Sequence, residues 1–137
     1  MEQVWFSGVH SDVGGGYKDH ELGDLALLWM VDRARKCELA FDPEAFTQRP
    51  SEAASPATDG ETVGSLTYVN PNPFGELHES YKGFYRLSRR FNRKLGVSDE
   101  THEYIASSAV ERYEKVQAYA PSGLLEFPYI SSRTLDV

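Results

Sequence analysis

The chain has one cysteine, no apolar run long enough to cross a bilayer, no excess of positive charge, and no serine flanked by glycine at both −2 and +2. Each absence excludes something. A single thiol, Cys37, cannot close an internal disulfide, so nothing points to a small secreted fold stapled by cystines. Cys37 falls in an apolar helical pattern with no neighbouring cysteine, which predicts a buried core thiol rather than a nucleophile. The longest apolar run, Leu25 to Val31, lies between Asp24 and Asp32 and falls far short of the about 20 residues a bilayer needs. The opening Met-Glu-Gln-Val-Trp-Phe has neither the basic nor the apolar region of a signal peptide, so the default compartment is the cytoplasm. A formal charge of −7 over 137 residues argues against a nucleic-acid binder, which would carry a basic face. Basic residues do gather at Arg86, Arg89, Arg90, Arg93 and Lys94, a spacing that suits the solvated side of a helix.

What is present fits one folded domain over residues 1–137: 40% hydrophobic and 26% charged residues, with no repeat. Gln3-Val4-Trp5-Phe6 is β-branched and aromatic and stops at Gly8, the pattern of a strand apolar on both faces inside a covered parallel sheet. Gly64–Val69 and Phe127–Ile130 are weak strand candidates. The rest of the sheet is therefore expected to be encoded upstream of Met1. Leu22 to Glu38 reads as a helix, apolar nearly all round in its first half, with Asp24 near its start and Arg33, Arg35 and Lys36 near its end. Asp42 to Phe46 suggests one helical turn, Gln48 to Gly64 a surface loop, and Ser80–Leu95 and Ser107–Tyr119 two further helices. The expected class is α/β, mostly helix and loop with one clear N-terminal strand.

Chemistry concentrates between Trp5 and Tyr17. A strand there runs into a glycine-permitted loop carrying His10 and Asp12, then Gly14-Gly15-Gly16. Loops leaving the carboxyl ends of parallel strands are where α/β folds keep reactive groups. Imidazole titrates near neutrality, so His10 suits proton transfer; its plainer alternative is a hydrogen-bonded structural histidine. The three glycines allow positive φ and close backbone approach, but no Lys-Ser/Thr follows them as in a phosphate-binding loop. Asp24 reads either as a helix N-terminal charge or as support for the His10 loop. A metal site built from His10, Asp12, Asp19 and His20 is a second alternative, although their spacing matches no strong zinc motif. No cofactor is expected.

The stretch Val4-Trp5-Phe6-Ser7-Gly8-Val9-His10-Ser11-Asp12-Val13-Gly14-Gly15-Gly16-Tyr17, followed by Leu22-Gly23-Asp24-Leu25-Ala26-Leu27-Leu28-Trp29-Met30, closely resembles the catalytic domain of type VI secretion phospholipase effectors. Leu77-His78-Glu79-Ser80-Tyr81-Lys82-Gly83-Phe84-Tyr85-Arg86, Ser108-Ala109-Val110-Glu111-Arg112 and Tyr119-Ala120-Pro121 continue the resemblance less specifically. It implies the C-terminal fragment of an α/β-hydrolase domain with a Ser-Asp-His triad, of which only the histidine maps here, onto His10. The G-x-S-x-G elbow and the acid would precede residue 1, since the chain order in such folds is Ser, Asp or Glu, then His. Asp12 is then expected to order the loop rather than to complete the triad, with Gly14, Gly15, Gly16 and Asp24 in support. His78 and Glu79 read as structural, and His102 as exposed.

The resemblance implies a lipid or ester substrate, and a partner in the missing N-terminal half or a secretion system, which could export the protein. The competing expectation is a non-catalytic fragment or interaction module whose open sheet edge needs a partner.

Overall fold

The computed structural model describes residues 2–48, 68–80, 95, 102–125 and 134–136. In chain order these form β1 (Gln3–Trp5), α1 (His10–Gly14), α2 (Glu21–Lys36), β2 (Thr47–Gln48), β3 (Tyr68–Val69), β4 (Glu103–Ala106), α3 (Ser107–Lys115), α4 (Ser122–Leu125) and β5 (Thr134–Leu135). The expected helix over Ser80–Leu95, save its two end residues, with its basic cluster, most of the loop over Gln48–Gly64, and the strand at Phe127–Ile130 lie outside the described residues.

The strand at the start is not without a partner in the chain. β1 pairs in parallel with β4, in the register Gln3↔Glu103, Val4↔Tyr104 and Trp5↔Ile105. β4 pairs in parallel with β5 on its other side, giving the order β1-β4-β5. β2 and β3 make a separate parallel pair. Helices and a small parallel sheet are compatible with an α/β class.

β4 escapes a reading by pattern because it is four residues long and begins on a carboxylate. Glu103 is nonetheless only 2% exposed. Its Oε1 accepts a hydrogen bond from the Trp5 indole N–H at 2.6 Å, so the charged group and the indole donor enter the sheet together. The Gln3 N–H donating to the His102 carbonyl at 2.9 Å extends the ladder by one rung. His102 itself is exposed.

The chain turns directly from β4 into α3, and Ile105, Ala106, Ala109 and Leu124 form the core, with Val4, Phe6, Val110 and Tyr113 packed against it. α2 runs for sixteen residues, with its acids in the first turn and its bases in the last, the arrangement that the helix dipole favours. Its buried stripe is narrower than the sequence suggests: Leu22, Ala26 and Val31 are buried, Leu25, Leu27 and Leu28 half-buried, and Met30 exposed.

Cys37 corrects its expectation, because it is exposed. It stands at the C-cap of α2, one step past the last helical residue, where a side chain no longer faces the core. Beyond it the Glu38 N–H reaches the Arg35 carbonyl at 2.9 Å and the Leu39 N–H the Ala34 carbonyl at 3.0 Å. These are the two bonds of a Schellman stop, and Glu38 takes the left-handed conformation there, with φ at 65°.

Candidate functional site

The turn from β1 into α1 is set by Gly8 and Asp12. Gly8 has a φ of +114°, open to glycine and strained for other residues. A Cβ at Gly8 would also fall 2.5 Å from the Cβ of Asp12. Val9 follows as the N-cap of α1, and Asp12, three residues on, accepts the Val9 N–H on Oδ2 at 2.9 Å. That is the returning half of a capping box, with a carboxylate where the first turn favours negative charge.

His10 is the first residue of α1, at the carboxyl end of a parallel strand, and it is exposed. Among the described residues nothing hydrogen-bonds its ring. It lines an open cavity of about 570 Å³ together with Trp5, Phe6, Val13, Gly14 and Ser80. The cavity follows β1 along its length, from Gln3 to Phe6.

Asp12 turns the other way and is 4% exposed. Besides Val9 it accepts the His78 N–H at 3.3 Å on Oδ2 and faces the His78 ring Nδ1 at 2.7 Å through Oδ1. Both oxygens are thus engaged, and neither bonds the His10 ring. Of the three glycines, only Gly15 takes a positive φ, at 76°, as the C-cap of α1. A Cβ on Gly14 would meet open space, while one on Gly16 would press on the Ser11 side chain at 2.9 Å.

Asp24, 5% exposed, lies in the first turn of α2 and does more than complement the dipole. Its Oδ2 pairs with His20 Nδ1 at 2.6 Å and accepts the Asn70 N–H at 2.7 Å. Glu21 adds the Asn70 side-chain amide at 3.2 Å. From the opposite side Arg112 of α3 donates through one nitrogen to the carbonyls of Pro73 and Gly75, each at 2.8 Å. Burial pushes the Arg112 guanidinium below its ordinary pKa, opposed by the charges of Tyr119 and Asp12. The stretch from Asn70 to His78 is thereby strapped across both helices that follow β1.

The metal set suggested by spacing is not assembled as such, since His20 is committed to Asp24 and Asp12 to His78. Among the described residues the geometry instead gathers Asp19, Glu76 and His78, whose ligand atoms all lie within 4.8 Å of one another. The His78 ring is stacked on Tyr17, with centroids 3.7 Å apart and planes 18° from parallel. Its Nε2 is 3.6 Å from Asp19 Oδ1. Sequence reasoning missed this set because Asp19 lies far along the chain from Glu76 and His78, which the fold alone brings together.

Comparison with known proteins bears on the first part of this site. The model of the T6SS phospholipase effector Tle1-like catalytic domain matches residues 1–33, which contain β1, α1 and most of α2. The chain is also 33% identical over 102 residues to the uncharacterized protein YEL023C of Saccharomyces cerevisiae (strain ATCC 204508 / S288c). That alignment takes in 71% of this chain and 12% of the yeast protein, so the chain spans a small part of the relative's length. No solved structure matches the chain. Among the described residues no helix is long and apolar enough to cross a membrane.

Proposed function

We propose that the chain is the histidine-bearing C-terminal portion of a serine ester hydrolase acting on lipid esters, with His10 as its general base and then its general acid. The observation that carries this reading is the phospholipase-effector match over residues 1–33, which falls on the strand, loop and helix that present His10 to an open cavity. In this mechanism His10 takes the proton from a serine hydroxyl as its oxygen attacks the ester carbonyl. The ring then returns that proton to the departing alcohol, and water repeats the cycle on the acyl-enzyme. The serine and the acid that orients His10 come from polypeptide outside this sequence, which holds no G-x-S-x-G. Asp12 positions the His10 turn through its hydrogen bonds, Asp24 holds the strap at Asn70, and neither touches a reacting atom in this scheme.

Joining the chain to a polypeptide that carries the elbow and the acid, and assaying phospholipid hydrolysis, tests the proposal. His10→Ala should lower kcat by about 10³–10⁶ while leaving the fold intact, as expected for loss of a triad member. A folded His10→Ala protein that keeps most of its activity would remove His10 from the mechanism. The chain alone should show no ester turnover and no labelling by a fluorophosphonate. Ser80 lines the same cavity as His10, so it is the residue to map first if labelling occurs.

A further inference from the structure

We propose that Asp19, Glu76 and His78 form a binding site for a divalent transition cation, with zinc the best-fitting ion. The site ties the loop after α1 to the strap that crosses it. It is independent of the ester-hydrolase reading, because His10 is not among its ligands.

Three observations lead there. The first is the gathering of one imidazole and two carboxylates within 4.8 Å, drawn from two segments far apart in sequence. A four-coordinate zinc with bonds of about 2.0–2.1 Å holds its ligands roughly 3.4 Å apart, so modest closure of the exposed Asp19 and Glu76 side chains completes the set. The second is the orientation of His78. The 2.7 Å contact to the buried Asp12 carboxylate engages Nδ1 and leaves Nε2, the atom facing Asp19, as the ring nitrogen available to a metal. A carboxylate behind the far nitrogen is how metal-ligating histidines are fixed and made more basic, and stacking on Tyr17 holds the ring plane as well. The third is charge. Among the described residues no lysine or arginine pairs with Asp19 or Glu76, and with Asp12 behind them three carboxylates surround one imidazole.

These features also disfavour a proton-transfer role for His78. Among the described residues its Nε2 faces the Asp19 and Glu76 carboxylates rather than a hydroxyl. One nitrogen and two oxygens suit zinc or manganese, whereas magnesium favours oxygen ligands and keeps its waters. With three protein ligands on a half-open surface, water completes the coordination shell and the affinity is micromolar rather than nanomolar.

The test is calorimetric titration of the whole chain with zinc chloride, made on a Cys37→Ser background because that exposed thiol is a competing ligand. One zinc should bind, and a hundredfold excess over Kd should raise the melting temperature by roughly 10 °C. Asp19→Asn and Glu76→Gln replace exposed side chains, so both should melt like the parent without metal and bind zinc at least tenfold more weakly. His78→Gln should abolish the isotherm; if it fails to fold, the two carboxylate variants decide alone. Magnesium should bind at least a hundredfold more weakly than zinc. Absence of saturable zinc binding below millimolar, zinc binding unchanged in either carboxylate variant, or equal affinity for magnesium would each overturn the assignment.

Discussion

Replacing Asp12 by alanine removes one bond that closes the His10 turn and two that tie it to the strap. The side chain is 4% exposed and accepts from the Val9 N–H at 2.9 Å, the His78 N–H at 3.3 Å and the His78 ring at 2.7 Å. Loss of a helix-capping acceptor costs about 1 kcal/mol, and a bond to a charged group about 1.5–3 kcal/mol; the long 3.3 Å bond adds little. Some of this is returned because the carboxylate no longer has to be desolvated. The net expectation for Asp12→Ala is a destabilisation of about 3 kcal/mol, which in a chain of this size lowers the melting temperature by roughly 9–15 °C. Urea denaturation followed by tryptophan fluorescence measures it, since Trp5 and Trp29 lie on β1 and α2. Combined with His78→Ala in a double-mutant cycle, the coupling should be about 1.5–2.5 kcal/mol, because the strongest of the three bonds is shared by the pair. A cost below about 1 kcal/mol, or additivity within about 0.5 kcal/mol, would refute this account of the turn.

Arg112→Met keeps the apolar stem but leaves the Pro73 and Gly75 carbonyls without their donor, so it should destabilise by about 2 kcal/mol in the same assay. Arg112→Lys should fall between that variant and the parent, because one ammonium can replace the donor but not the planar fork. Glu38→Gly should stabilise by about 0.5–1 kcal/mol, since the residue sits at φ 65° in the left-handed position where helices favour glycine. His10→Ala should leave the melting temperature within about 1 °C of the parent, because an exposed ring with no polar partner among the described residues supports nothing.

Local signals made β1 and α2 legible; they read a loop where the short helix α1 (His10–Gly14) forms, and the rest of what they missed was long-range. Gln3 to Phe6 announces a strand by its side chains alone, and α2 announces itself by a long apolar stretch with acids first and bases last. Nothing local says that Trp5 will pair with Glu103, 98 positions away, and a four-residue strand is too short to show a period of two. Expecting the partner strands upstream of Met1 followed from the weakness of the other strand candidates, Gly64–Val69 and Phe127–Ile130. The indole donor that meets Glu103 Oε1 was out of sequence view. The same holds at the site. His10 and Asp12 stand out because they lie two positions apart, in what proves to be one helical turn, whereas His78 gains its meaning from Asp12, Tyr17 and Asp19, which reach it across the fold. Cys37 shows the opposite error. It continues an apolar pattern by one residue too many, and the helix stop that exposes it is written in the backbone of Glu38 and Leu39 rather than in a glycine.

The spacing His10-Ser11-Asp12 has a physical content that the two residue types alone do not. On a helix, positions two apart point about 200° away from each other. Asp12 is driven inward because Val9 and His78 supply its hydrogen bonds, so the first residue of α1 must face outward, and His10 does. Gly8 makes this arrangement possible, since any Cβ there would occupy the space of the Asp12 side chain. The orientation of His10 is thus imposed from the far side of a single helical turn, by a carboxylate locked to the strap that Arg112 and Asp24 hold in place. Among the described residues the ring spends none of its own hydrogen-bonding capacity on the fold. Substitutions should accordingly separate into two groups: changes at Asp12, Gly8 or Arg112 lower stability, and a change at His10 leaves it unaltered.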